Sequence, residues 1–432
     1  MGSVHPFRRR SSHPTPSDGG QGVDPASAAP PGRAARLTDS ASAAPPGRAG
    51  RLTRRRRPDP LASLAGLGPR AGLSRRGGRF LLLGGALVLA AVTVAVLVVA
   101  TGPQATSAPT SGPAPSTTVP PARLKPVLGG LLDRHKLPPE QFQGAVAGYV
   151  VSVGWAELQP TAGGPLAAAN PIDQAIASAR ARHLQLKLRV LAGTSAPDWA
   201  KRLGGDPVRV VDAYGHSGTV GRFWTTAFGQ AYLDLQQRLA ARYDRVPEIA
   251  ETQITRCTTF FAEPFLRQGR NPSTIRNLVR AGYTAAADEA CQREQVDAHA
   301  VWSRTRSGLS FNPYQRVEGG QVKHDEAFTE QMMRYCRSKL GAACVLENHS
   351  IRTTGQGRLY QQMYQAMRSL GGAIGFQTAS PNRIGSLLGT LDWAISQRAS
   401  SVELPVSYRT SSSPGSLRPR NQRLQAIARS LA

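Results

Sequence analysis

Lysine and cysteine are the scarce residues of this 432-residue chain. Only six of its 53 basic residues are lysine (Lys125, Lys136, Lys187, Lys201, Lys323 and Lys339); the other 47 are arginine, set against 27 acids for a net charge of +26. Such a charge suits nucleic acid or anionic lipid, yet no nucleic-acid motif accompanies it. Arg, Ala, Gly and Pro share GC-rich codons, which accounts for the arginine, so no nucleic-acid partner is expected. Cysteine is confined to Cys257, Cys291, Cys336 and Cys344. Those spacings exclude the usual zinc frameworks. No glycine-rich loop follows a strand-like run, which counts against dinucleotide and phosphate-loop sites, and no cofactor is expected.

Charge is also missing from Phe80–Ala100, where 21 residues read FLLLGGALVLAAVTVAVLVVA. A run of about 20 apolar residues spans a hydrocarbon core of roughly 30 Å as a helix. Arg75, Arg76 and Arg79 precede it, and no basic residue follows until Arg123. That asymmetry keeps residues 1–79 cytoplasmic and places 101–432 outside the plasma membrane. Against a cleaved signal stand the length of the run and its late position; Ser74-Arg75-Arg76 is the one hint of twin-arginine export. Residues 1–79 are poor in apolar side chains and read as a disordered basic tail. Within them Ala26–Thr38 recurs as Ala41–Thr53 with one difference, Ala35 against Gly50. Arg54–Arg57 form a basic run that suits an anionic leaflet. Residues 101–122 are rich in Pro, Ser and Thr, the composition of an extended spacer.

The remainder, 123–432, alternates short β-like runs with amphipathic helical runs. Strands are expected at Gly148–Gly154, Leu186–Ala192, within Ile249–Phe261, and at Gly308–Phe311, Ala343–Leu346, Ala373–Phe376 and Ser401–Leu404, with a weaker first strand at Val127–Leu131. Helices are expected between them, among them Pro171–Leu184, Phe228–Tyr243, Pro272–Arg280 and Asp325–Leu340. This alternation predicts one (β/α)8 TIM barrel as the ectodomain; an open doubly wound sheet is the competing arrangement. Four cysteines allow three pairings. Local order favours Cys257–Cys291 and Cys336–Cys344, with four buried thiols as the other outcome.

In such a barrel the site lies at the C-terminal strand ends. Those ends carry Trp155, Trp199, Phe261, Glu263, Asn312, Tyr314, Glu347, Asn348, His349, Gln377 and Glu403. Aromatic faces beside carboxylates and amides are what a sugar needs. Trp155-Ala156, Leu158 and Pro160, then Lys187-Leu188-Arg189, then Ala196-Pro197 and Trp199, together resemble the front half of clan A glycoside hydrolases, most nearly the beta-galactosidase-like members. The resemblance covers roughly residues 147–405. It implies an eight-stranded barrel with retaining chemistry, Glu263 as acid/base, and a nucleophilic glutamate at the seventh strand end.

The chain departs from that pattern at three positions. Ala262 replaces the asparagine before the acid/base, Gln159 replaces a glutamate, and Gln377 occupies the nucleophile position. An amide cannot form a glycosyl-enzyme intermediate. Glu403 and Glu347 are the substitute carboxylates. The resulting expectation is a membrane-anchored barrel that binds or cleaves a carbohydrate, such as a cell-envelope glycan. A non-catalytic glycan-binding or structural envelope protein is the alternative.

Overall fold

A computed structural model describes residues 123–353 and 356–431. The tail, the apolar run Phe80–Ala100 and the spacer 101–122, expected to be cytoplasmic, membrane-spanning and extended, lie outside the described residues. Among the described residues no helix is long and apolar enough to cross a membrane.

Eight parallel strands close into a barrel: β1 Gly130–Asp133, β2 Gly148–Gly154, β3 Gln185–Leu191, β4 Ile249–Gln253, β5 Arg306–Ser310, β6 Cys344–Ile351, β7 Ile374–Thr378 and β8 Ser401–Leu404. Each pairs with its sequence neighbours, and β1 closes on β8 with Gly130 opposite Ser401. The outer ring contains α1 Pro171–Ala181, α2 Thr226–Tyr243, α3 Pro272–Arg280, α4 Ala285–Ala298, α5 Glu326–Leu340, α6 Arg358–Leu370, α7 Leu387–Ser396 and α8 Pro414–Arg429. Asn170 and Asn271 cap α1 and α3, each followed by proline at the first helical position. Their side-chain oxygens accept backbone N–H groups that a helix start leaves unpaired, and proline has no N–H to lose there.

The apolar residues lie mainly between strands and helices. One buried cluster joins Tyr149, Val151, Val153, Leu188 and Val190 to Phe228, Tyr232, Leu235 and Leu239. A second joins Leu346, Phe376, Val402 and Leu404 to Met332, Met363, Met367, Leu391 and Leu424. Disulfides Cys257–Cys291 and Cys336–Cys344 fasten this layer, in the pairing that local order favours. The seam between β1 and β8 is closed from the C-terminal segment: Asp133 accepts from Tyr408 at 2.7 Å and from Arg409 at 2.6 Å. Asn421 on α8 accepts from Leu131 N at 2.8 Å.

Two boundaries differ from expectation in ways that move the site. The fourth strand ends at Gln253, so Phe261 and Glu263 belong to the long connection before α3. The fifth ends at Ser310, after which Tyr314–Glu318 and Gln321–Asp325 form an antiparallel hairpin. A second hairpin, Val208–Val211 with Ser217–Val220, lies between β3 and α2. Neither hairpin was expected. Tyr314, Val317 and Val322 pack into the outer layer, so their apolar character reflects packing beneath a connection.

Candidate functional site

Charge fills the barrel's centre. Lys187 on β3 places Nζ 2.5 Å from Glu347 Oε1 on β6 and 2.9 Å from Glu403 Oε1 on β8. Its third carboxyl neighbour, Glu251 Oε1 on β4, stands at 3.2 Å without hydrogen-bond alignment. Two residues further along β3, Arg189 Nη2 donates to Glu403 Oε1 at 2.6 Å. The alternation of QLKLRVL carries both cations to the interior face of the strand. All five side chains are at most 2% exposed.

Burial and pairing set the protonation states. Burial favours a neutral amine at Lys187, but Glu347, Glu403 and Glu251 outweigh it and lift the ammonium above its ordinary value. Burial pushes Glu403 up, yet Arg189 and Lys187 pull it down to about 2. Glu347 is likewise held well below the usual range: burial opposes ionisation, and Lys187 and His349 overcome it. Glu251 goes the other way, raised by burial and by the neighbouring Glu347. A backbone Cβ at position 308 would collide with the Glu347 carboxyl, so the facing residue of β5 is glycine.

Above this lies a second tier. Arg189 Nε donates to Gln253 Oε1, which turns the Gln253 amide N–H2 toward Glu347 Oε2 at 3.3 Å and His349 Nε2 at 2.9 Å. His349 Nδ1 lies 3.1 Å from Glu263 Oε1. His349 Nε2 also lies 3.1 Å from Glu347 Oε2, so one imidazole separates the two carboxyls. Gln377 donates to the His349 carbonyl at 3.2 Å and accepts from Arg189 Nη1 at 3.4 Å. Arg134, just past β1, donates to the carbonyl and hydroxyl of Thr378. Burial lowers its guanidinium to about 10, and Glu403 and Glu263 are among the charges it feels.

Among the buried atoms that meet no protein partner are Glu263 Oε2, Glu403 Oε2 and Arg134 Nε. Two acceptors and one donor therefore keep hydrogen-bonding capacity. Nearby, Ser152 on β2 is exposed, which places solvent at the β2 side of the mouth. Among the described residues no cluster of His, Cys, Asp and Glu is arranged to hold a metal ion.

The sequence candidates separate into two groups. Glu263, His349, Gln377, Glu347 and Glu403 do converge. Glu347 and Glu403, taken as substitute nucleophiles, are instead bound by Lys187, with Arg189 also on Glu403. The aromatic candidates lie in packing contacts. Trp155 is fully buried, donates to Gln159 Oε1 at 2.9 Å, and meets Trp199, Phe228 and Tyr232 edge-on. Trp199 is half-buried and donates to the Gln159 carbonyl at 3.1 Å. Phe261 is buried, and Tyr314 donates to Asp288 at 2.7 Å within the core. Asn348 donates to the Phe311 carbonyl and accepts from Tyr364, and Asn312 accepts from Tyr360; these amides brace the connections after β5 and β6. Lys187, Arg189, Glu251, Gln253 and Arg134 are the site residues that a reading of strand ends passes over. The polar face of LKLRVL was the available signal for the first two.

No family model matches the chain, and no curated protein is similar to it by sequence. Solved structures resemble it in fold. The catalytic domain of a beta-amylase from Paenibacillus polymyxa aligns at 11% identity and TM-score 0.46, over 71% of this chain and all of that one. A beta-galactosidase from Marinomonas ef1 aligns at 12% identity and TM-score 0.41, over 69% of this chain and 59% of that one. Morphinone reductase aligns at 17% identity and TM-score 0.41, over 68% and 85%. At such identities the likeness concerns the fold, and proteins of different chemistry share it. The chain is a (β/α)8-barrel protein by its own strand order.

Proposed function

We propose that the barrel binds a carbohydrate at its C-terminal mouth and does not hydrolyse it by the two-carboxylate route. One observation carries this reading: the interior carboxyls are bridged by cations or by His349, while Glu263 Oε2, Glu403 Oε2 and Arg134 Nε remain without a protein partner. Sugar hydroxyls both donate and accept. They can donate to Glu263 Oε2 and Glu403 Oε2 and accept from Arg134 Nε. Hydrolysis needs two carboxyls flanking the scissile bond, with about 5–5.5 Å between them for retention and 6.5–9.5 Å for inversion. Lys187 occupies the space between Glu347 and Glu403, and His349 the space between Glu263 and Glu347. Gln377 offers no nucleophile. A glycan array probed with the full-length chain tests the reading. Retention of a glycan is the expected result, with affinity at least about tenfold lower in Glu263→Gln. Retention of no glycan would overturn it.

Hydrolysis with Glu263 as general acid is the second reading, favoured by its one bare oxygen and its histidine partner. General acid catalysis contributes about 10²–10⁴-fold, so Glu263→Gln would remove that much of any turnover. Activity gained only in Gln377→Glu would favour the binding reading.

The barrel is further proposed to sit outside the plasma membrane on Phe80–Ala100. Arginine before that run but not after it supports this orientation. So do two disulfides, which persist in oxidising compartments. Protease applied to intact cells should degrade the barrel and spare residues 1–79; a protected barrel would reverse the orientation.

A further inference from the structure

On the barrel wall a cleft of about 450 Å³ opens between α5 and α6, and a second of about 380 Å³ between α6 and α7. Its α6 side carries Gln361, Gln365 and Arg368, spaced four and three residues apart and all exposed. That spacing aligns them along one helical face. From α7 come Trp393 and Gln397, also one turn apart, and Arg352 lines the end nearest β6. Trp393 is half-buried. Its ring is braced by Tyr364, edge-on at 4.9 Å, and by Phe376 at 5.5 Å. Arg368 Nη1 donates to Gln397 Oε1, which ties the two walls together.

The cleft's composition is selective. Arginine, glutamine, tryptophan, tyrosine and threonine line it, and no carboxylate does so among the described residues. The adjacent acid, Asp392, is turned away and pairs with Arg420 on α8 at 2.6 Å. An anchored indole offers a flat apolar surface, side-chain amides donate to and accept from hydroxyls, and a guanidinium matches a carboxylate geometrically. We propose that this cleft is a second binding site, separate from the mouth, for a carboxylate-bearing polysaccharide of the uronate type. Arg368 takes the carboxylate, the glutamines take hydroxyls, and Trp393 supports the ring. The mouth has bare carboxyl oxygens and suits neutral sugar; the cleft presents Arg368 with no carboxylate among its described lining residues and suits an acidic one.

Polygalacturonate and neutral galactan are the probes, titrated against the full-length chain at low and high salt. Wild type should bind polygalacturonate more tightly than galactan, and the difference should shrink as salt screens the charge. Arg368→Glu should weaken polygalacturonate binding at least about tenfold. Gln365→Glu, a substitution at an exposed helix position, should weaken it in the same direction without touching the tie to Gln397. Glu263→Gln should leave it unchanged, which separates this site from the mouth. Polygalacturonate binding that survives both cleft substitutions, or is lost only in Glu263→Gln, or is absent in wild type, would overturn the proposal.

Discussion

The layer between strands and helices and the interior of the barrel follow opposite rules. Outside the strands, leucine, valine, methionine and aromatic side chains pack in two large clusters fastened by two disulfides. Inside, where such barrels ordinarily hold layers of branched aliphatics, the chain places Lys187, Arg189, Glu251, Glu347, Glu403, Gln253, His349 and Gln377. A buried ion pair is a weak source of stability, because desolvation offsets most of the attraction. The outer layer must therefore hold the barrel closed while the interior fixes a pattern of charge and hydrogen bonds. The same pairing restricts chemistry: a carboxylate bound to an ammonium in a dry core is a poor nucleophile. The difference between the regions separates the packing that stabilises this protein from the polar groups that its interior arranges.

Breaking the interior should have the largest effect. Lys187→Met leaves Glu347, Glu403 and Glu251 facing one another, and removing one partner of a buried charge cluster costs about 3–5 kcal/mol. Urea titration should show the midpoint falling accordingly; an unchanged midpoint would mean the carboxyls are not ionised. In the outer layer, replacing Cys257 and Cys291 by serine frees a separation of 34 residues, against 8 for Cys336 and Cys344. The first pair should cost about 4 kcal/mol and the second about 2.5 kcal/mol by loop entropy. Equal losses would assign the stabilisation to something other than chain closure.

A smaller effect separates the interior carboxyls by sign. Glu251 is raised, so above its unfolded value the folded state holds a proton that the unfolded chain releases, and stability falls as pH rises. Glu251→Gln should remove that slope and raise the melting temperature at pH 7 relative to wild type. Glu403 is lowered to about 2, so its contribution is present above the ordinary carboxylate range and is lost as pH falls through about 2. Glu403→Gln should flatten the acid limb. Least of all, Glu263→Gln should change stability by under about 1 kcal/mol, since its carboxyl makes one hydrogen bond, to His349. Its effect belongs in binding.

What the sequence revealed follows the same division. β2 and β8 were legible to their end residues, as was α3, because apolar periodicity records the outer layer. β4 was read too far, since the β-prone, apolar run after Gln253 continues to Phe261, although the chain leaves the sheet there. The interior was legible only as a list of strand ends. Glu263, Glu347, His349, Gln377 and Glu403 could be named because a barrel brings strand ends together. That Lys187 lies 160 residues before its partner Glu347 has no local signature. The placing of the tryptophans was not legible for a related reason: strand ends and the outer layer both favour aromatics, and only the structure shows Trp155 fully buried.

The central claim is that the paired interior binds sugar without cleaving it, and release of new reducing ends tests that most directly. The full-length chain would be incubated with whichever glycan it retains, and reducing ends measured against buffer alone. The charge pairing predicts no release, in wild type and in Glu263→Gln alike. Steady release by wild type that falls about a hundredfold or more in Glu263→Gln, and again in Glu347→Gln or Glu403→Gln, would contradict it.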